Sequence, residues 1–273
     1  MTFKRSLFNS VSDKIIWLLG LNQPTMMRRA FFSRINVIKR VVVRELPIVF
    51  DANEELHLLR ANLLETKEPE TLDWIDGFED DAVFFDIGAN VGVFSLYAAL
   101  KKNCAVYAFE PESKNYACLN KNIFLNGLDN KVRAIAIGLH NQTDLNYLYL
   151  QSSDSGAANH SLDNPIDWRG NKYNAVCQQS VLAFELDRFI EMFKLPTPNH
   201  LKIDVDGNEI MVLQGARETL KCNEFKSLLI EMNENNSEII DELASCGLRM
   251  IDKRKAALTG DYDDVINATF GRA

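Results

Sequence analysis

The stretch that decides the fold is AVFFDIGANVG, residues 82–92. Residues 82–87 are an apolar run bounded upstream by the acidic turn at 79–81, which reads as a buried strand. DIGANVG, residues 86–92, then marks a strand exit that feeds a helix, with Gly88 and Gly92 placed where glycine lets the backbone come close to a ligand. Taken alone, the loop reads equally well as a strand-to-helix turn that needs glycine for its own geometry. Its G-x-x-x-G spacing lacks the central glycine of GxGxxG, and no GK[ST] follows, so a pyrophosphate or triphosphate cradle is poorly supported.

Outward from this loop, short apolar runs alternate with helical patterns. Strands are expected near 82–87, 104–109, 131–137, 200–205, 226–232 and 248–252, and helices near 91–101, 113–126, 208–220 and 236–246. Residues 54–77 read as helical with a break at Glu68-Pro69. The runs lack polar alternation, as strands covered on both faces do, so the fold class is α/β with a doubly wound, mostly parallel sheet. A ligand then belongs beyond the carboxyl ends of the strands, at the point where strand order reverses. The alternation fails over 139–180, where NYLYL (146–150) precedes a polar stretch; a loop of that length inside a compact domain is functional or disordered.

Two further motifs converge on the same edge. The second strand ends in AFEP, placing Glu110 beside the glycine loop, 22 residues after Gly88, where a carboxylate can accept both hydroxyls of a ribose. A nucleoside ligand without a pyrophosphate is the reading that fits both motifs. The fourth strand runs into LKIDVDGNE (201–209), which brings Lys202, Asp204, Asp206 and Glu209 to that edge, a set suited to proton transfer or cation binding. Asp206-x-x-Glu209 also has capping-box spacing, which would occupy both in starting the next helix.

The order of motifs resembles the FkbM-type family of S-adenosylmethionine-dependent methyltransferases. The resemblance runs over residues 67–235: KEPETLDWID (67–76), DIGANVG (86–92), FEP (109–111), the pair Asn122 and Asn126, LDRF (186–189), KIDVDGNE (202–209), VLQGA (212–216) and Glu231 in LLIEMN. The usual KIDVEGAE here has Asp206 for Glu and Asn208 for Ala. The resemblance implies a Rossmann-like sheet of seven strands and transfer of the sulfonium methyl group, usually to a hydroxyl of a sugar, polysaccharide or secondary metabolite. Carried over by position, it implies that Asp86, Gly88, Ala89, Asn90 and Gly92 surround the cofactor's methionine part and that Glu110 holds its ribose. It leaves the base open among Asp204, Asp206, Glu209, Lys202 and His160.

Composition sets outer limits. The chain has 273 residues, 47% hydrophobic and 25% charged, with a net charge of −8. Residues 1–40 carry eight Lys/Arg against Asp13, a balance of +7 that leaves −15 on the rest, and an acidic body argues against nucleic acid as partner. Met27, Phe31, Ile35, Ile38 and Val42 share a helical face flanked by basic residues, which suits either a helix packed on the domain or peripheral contact with an anionic membrane. The β-branched run 41–43 alternatively starts a hairpin with 47–50. Residues 1–80 are expected to form a basic extension and helical preamble, and 81–273 the catalytic domain, with 151–180 as an acceptor lid. No apolar run near the start approaches the about 20 residues of a spanning helix, and five scattered cysteines without a CxxC pair give neither a disulfide framework nor a zinc site. The expected compartment is the cytoplasm, conceivably at the inner membrane surface. A divalent metal could assist the reaction, but the sequence shows no ligand cluster for one. The competing readings are an NAD-dependent oxidoreductase and a non-catalytic binding module on the same fold.

Overall fold

The fold is that of a computed structural model, whose described residues are 37–255 and 265–272 without residues 153, 155, 159 and 168. The part of the amphipathic pattern before residue 37 lies outside them. Ile38 and Val42 are in a strand rather than a helix: β1 (Ile38–Val43) pairs antiparallel with β2 (Leu46–Asp51). Three successive valines lose less side-chain freedom in a strand than in a helix, and the hairpin supplies their partner. The turn residues Arg44 and Glu45 both have positive φ, 46° and 70°, the two-residue geometry whose twist matches paired strands. Arg44 is held there by ion pairs to Asp73 (2.6 Å) and Asp76 (2.7 Å).

Helices α1 (Glu55–Lys67) and α2 (Pro69–Asp76) break at Glu68, because Pro69 has no N–H and begins the second helix. Strand and helix then alternate through β3 (Val83–Ile87), α3 (Val93–Lys101), β4 (Ala105–Phe109), α4 (Ser113–Leu125) and β5 (Val132–Ile135). The region expected to be one long loop instead builds a small sheet. Its strands β6 (Gly138–Leu139), β7 (Asp144–Leu150), β8 (Ser161–Leu162) and β9 (Cys177–Phe184) lie in the order β6-β9-β7-β8. Helix α5 (Leu186–Phe193) and strand β10 (His200–Ile203) return the chain to the main sheet. The single helix expected over 208–220 is two, α6 (Glu209–Gln214) and α7 (Arg217–Lys221). They part at Gly215, where a Cβ would stand 2.2 Å from the His140 carbonyl oxygen. The remaining elements are β11 (Ser227–Asn233), α8 (Ser237–Ser245), β12 (Leu248–Lys255) and β13 (Val265–Arg272).

The main sheet has seven strands in the order β12-β13-β11-β10-β3-β4-β5. Neighbours from β5 to β11 are parallel, and β13 runs antiparallel to both β11 and β12. This is a Rossmann-like α/β fold. Strand alternation sends Phe84 to one face and Phe85 to the other, both fully buried, and each face carries its own apolar core. Ile48 and Phe50 of β2 and Leu72 and Ile75 of α2 belong to the core on the Phe84 face. Asn122 and Asn126 fasten β2 to it: Asn122 Oδ1 accepts from the Asp51 N–H (2.7 Å) and Asn126 Oδ1 from the Val49 N–H (2.9 Å). Chain order reverses between β3 and β10, and the glycine loop leaves the sheet at that crevice.

Candidate active site

The loop after β3 turns on two left-handed glycines, Gly88 (φ 82°) and Gly92 (φ 87°). A Cβ on Gly88 would lie 1.8 Å from the carbonyl oxygen of Asp204, and one on Gly92 would lie 2.4 Å from Leu119 Cδ1. The expected cause, close approach of a ligand, is thus joined by another: the exits of β3 and β10 pass each other at Gly88, and α4 presses on Gly92. The Gly88 and Ala89 N–H groups both donate to the Phe109 carbonyl, locking the loop to the end of β4. Ala89 is buried in the core.

Glu110, 5% exposed, sits at the centre of this arrangement. Its Oε2 accepts the Asn90 N–H and its Oε1 the Glu112 N–H, both at 2.8 Å. The carboxylate is therefore fixed in place while each oxygen keeps a lone pair for a further donor. Burial pushes its carboxyl up to about 7, against the pull of those two N–H groups.

A cavity of about 220 Å³ opens here, lined among others by Gly88, Asn90, Glu110, His160, Asp204 and Glu231. A smaller one of about 40 Å³ adjoins it and reaches Glu68, Asp86 and Lys202. Asp86 is 1% exposed; its Oδ2 accepts from Ser95 Oγ at 2.5 Å, and its Oδ1 has no partner among the described residues. Lys202, 2% exposed, donates to Asp204 Oδ2 at 2.7 Å and lies 5.1 Å from the Phe94 ring centroid. Burial works to raise the Asp204 carboxyl, but the Lys202 and Lys67 ammonium groups outweigh it and hold Asp204 below the usual range.

The capping box expected at Asp206 and Glu209 does not form. Asp206 takes a left-handed conformation (φ 55°), Asn208 stands at the N-cap, and Glu209 Oε1 accepts from the Gly207 N–H. The DG pair makes a turn before the helix, which moves the cap two residues on. Asp206 is left lining the larger cavity. His160 also lines it: Nδ1 accepts from the Gln151 N–H (3.4 Å), and Nε2 is buried without a partner. Burial lowers its pKa.

Sequence reasoning missed the residues that roof the site. Asn115 Oδ1 accepts from Gly156 N–H (2.6 Å), the Asn115 and Asn90 amides both donate to the Ala157 carbonyl (3.2 and 2.9 Å), and Arg60 Nε donates to the Gly156 carbonyl (2.7 Å). The segment at 156–157 is thereby pinned over the glycine loop. It also gave no role to Glu68 or Glu231, although both fall in matched motifs. Among the described residues, Glu68, Asp204 and Glu231 bring three carboxylate oxygens within 4.8 Å of one another. The sequence alone suggests no ligand cluster for a divalent metal; this trio is one by spacing, with the Lys202 ammonium already paired to Asp204. A second group, Asp51, His57 and Cys118, is occupied: Asp51 pairs with Lys121 at 2.7 Å, and burial pushes the Cys118 thiol to about 12.

A glycine turn at the switch point, a fixed acid at the end of the second strand and a cavity between them form the candidate site of this Rossmann-like fold. The family model described as the Methyltransferase FkbM domain matches residues 86–250. The chain belongs to the FkbM methyltransferase family. The hexuronic acid methyltransferase AglP of Haloferax volcanii is 26% identical over 171 residues, 62% of this chain and 64% of AglP. Methyltransferase 1 of Beauveria bassiana is 28% identical over 151 residues, 50% of this chain and 59% of that protein. The chain thus spans less than two thirds of the length of either relative. Among solved structures, the methyltransferase FkbM from Methylobacillus flagellatus KT matches at 16% identity and a TM-score of 0.48, covering 70% of this chain and 44% of that one. Among the described residues no helix is long and apolar enough to cross a membrane.

Proposed function

We propose that this methyltransferase takes its methyl group from S-adenosylmethionine and delivers it to a hydroxyl of a sugar or glycan. The observation that carries the cofactor assignment is Glu110, a buried carboxylate fixed by two backbone N–H groups with a lone pair of each oxygen turned to the cavity. Two vicinal hydroxyls of a ribose satisfy such a group, and their donation draws Glu110 into its ionised form. The unpartnered Asp86 Oδ1, beside Glu68 and Asp204 in the smaller cavity, suits the ammonium of the cofactor's methionine part. When bound, the cofactor supplies an activated methyl on a sulfonium. The protein's own tasks are to align the acceptor oxygen, to exclude water beneath the 156–157 roof and to remove one proton.

The sugar acceptor rests on AglP, whose name states a sugar acid as its acceptor, a molecule with carboxylate as well as hydroxyl oxygens; the hydroxyl rests on the resemblance to the family. Titration calorimetry tests the cofactor: S-adenosylmethionine or its demethylated product binds at micromolar-class affinity, roughly −8 kcal/mol, and NAD far more weakly. The opposite preference removes the proposal. Incubation with methyl-labelled S-adenosylmethionine and a fractionated cell extract, followed by identification of the labelled product, tests the acceptor; label on an amine, or as a methyl ester of a carboxylate, overturns the hydroxyl assignment.

A further inference from the structure

Four carboxylates face the same side of the sheet crevice, and they are not equivalent. Asp86 binds Ser95, Asp204 binds Lys202, and Glu68 binds Lys67 (3.2 Å) and Thr71 (3.2 Å). Glu231, at the end of β11, makes no hydrogen bond or ion pair among the described residues and lines the larger cavity. The parallel register Lys202↔Leu229 and Ile203↔Ile230, continued by one residue, sets Glu231 beside Asp204 on the same face. Its surroundings are Lys202 from β10, Asp204 just after it, Asp206 from the following turn, Glu68 and Lys67 from the α1–α2 junction and Arg60 from α1. Burial first, then the charges of Asp204, Glu68 and Asp206, push its carboxyl well above the usual range. Burial raises the Asp86 carboxyl too, but Asp86 is held by Ser95, whereas Glu231 is open to the larger cavity.

We propose that Glu231 is the proton acceptor of the methyl transfer and that its ionisation is coupled to the charge of the methyl donor. This rests on the S-adenosylmethionine reading above. A sulfonium in the cavity stabilises the Glu231 carboxylate by direct attraction, strengthened where water is excluded. Glu231 then takes the proton of the acceptor hydroxyl as the O–CH3 bond forms and the S–CH3 bond breaks, with that bond's electron pair staying on sulfur. A cation and an anion become two neutral groups, so the step ends with no buried charge left unpaired. Asp204, already held by Lys202, has a weaker pull on a proton.

The coupling makes a prediction that separates the two methyl-donor states. Binding of S-adenosylmethionine to the full chain near pH 7 expels up to one more proton than binding of S-adenosylhomocysteine, whose thioether is neutral. Calorimetric titration of each ligand in phosphate and in Tris, whose ionisation enthalpies differ, measures that count. Glu110 contributes equally with both ligands, so the difference isolates the group that senses the sulfonium. Glu231→Gln is expected to abolish the difference while leaving affinity for the thioether within about threefold. Equal proton counts for the two ligands on the wild-type chain overturn the inference while leaving the cofactor reading intact, and that comparison needs no variant to fold. Loss of the difference on adding EDTA overturns it in favour of a bound cation. If neither ligand binds, the cofactor reading falls and the inference with it.

Discussion

The backbone N–H of Asn90 donates to Glu110 Oε2 at 2.8 Å, which ties the middle of the glycine loop to the acid at the end of the neighbouring strand. The two motifs, 20 residues apart, therefore form one preassembled unit rather than two sites that a ligand must gather. Glu110→Ala is expected to weaken cofactor binding by roughly 1–3 kcal/mol, the range for losing a charged hydrogen-bond acceptor, and also to loosen the loop itself. Titration calorimetry reads the first effect, and amide exchange at Asn90 reads the second. Unchanged affinity would place the ribose elsewhere.

Glu110 also makes stability depend on pH. Burial raises its carboxyl from the ordinary 4.5 to about 7, so between these values the folded chain binds more protons than the unfolded one. The contribution of this group to ligand-free stability therefore falls as pH rises through that window, by an amount on the order of 3 kcal/mol; Glu209, also raised to about 7, adds to the fall, and His200, lowered to about 4, opposes it. Thermal melts from pH 4.5 to 7.5 should show a decline that Glu110→Gln flattens. An equally steep decline in the variant would assign the effect to other groups.

Asp204→Asn removes the nearest counter-charge of the Lys202 ammonium, 2% exposed, and leaves it to Glu68 and Asp86. Because those two remain and Asp204 is itself 27% exposed, the loss should fall below the about 3–5 kcal/mol of a fully buried pair, yet this variant should unfold at lower urea than wild type. Adding Lys202→Met removes the stranded charge and should recover part of the loss. A single variant as stable as wild type would show that the pair is exposed in solution.

Asn115 holds both Gly156 and Ala157. Asn115→Ala should release the roof of the cavity at a cost of about 1–3 kcal/mol and make residues 151–160 the first point of cleavage in limited proteolysis. Wild-type resistance there would mean that Asn90 and Arg60 suffice.

Gly88→Ala sets a methyl group 1.8 Å from the Asp204 carbonyl oxygen at a φ of 82°. The exits of β3 and β10 must move apart, and the expected loss is at least about 1–3 kcal/mol with weaker cofactor binding. Denaturation and calorimetry on the same sample check both.

How far the sequence carries depends on range. DIGANVG and AFEP announce themselves because strand exit, glycine and acid are local, and each predicted core strand lies close to its observed place. The hairpin was visible in the valines at 41–43. The small sheet was not, because β6 and β8 are two residues each and leave no periodic trace. Strand β13 was missed because a buried polar residue, Asn267, interrupts its apolar run; its amide donates to Glu70 at 2.8 Å, a partner 197 residues away. The carboxylate trio needs the register of β10 against β11 and the placement of Glu68 from another layer, neither of which is encoded in any short window. Asp206 looked like a cap because its spacing to Glu209 was right, and only the left-handed φ of 55° shows why it is not.

The placement of β13 between β11 and β12 has a consequence for biosynthesis. Strand β12 pairs with β13 alone, while β11 relies on β13 to cover its outer edge. A ribosome that has released residues only through 255 has made β12 with nothing to pair with and left β11 with a row of unpaired backbone groups. That edge is the kind other chains can add to, so a chain stalled at that point is expected to be prone to aggregation until residues 265–272 close it.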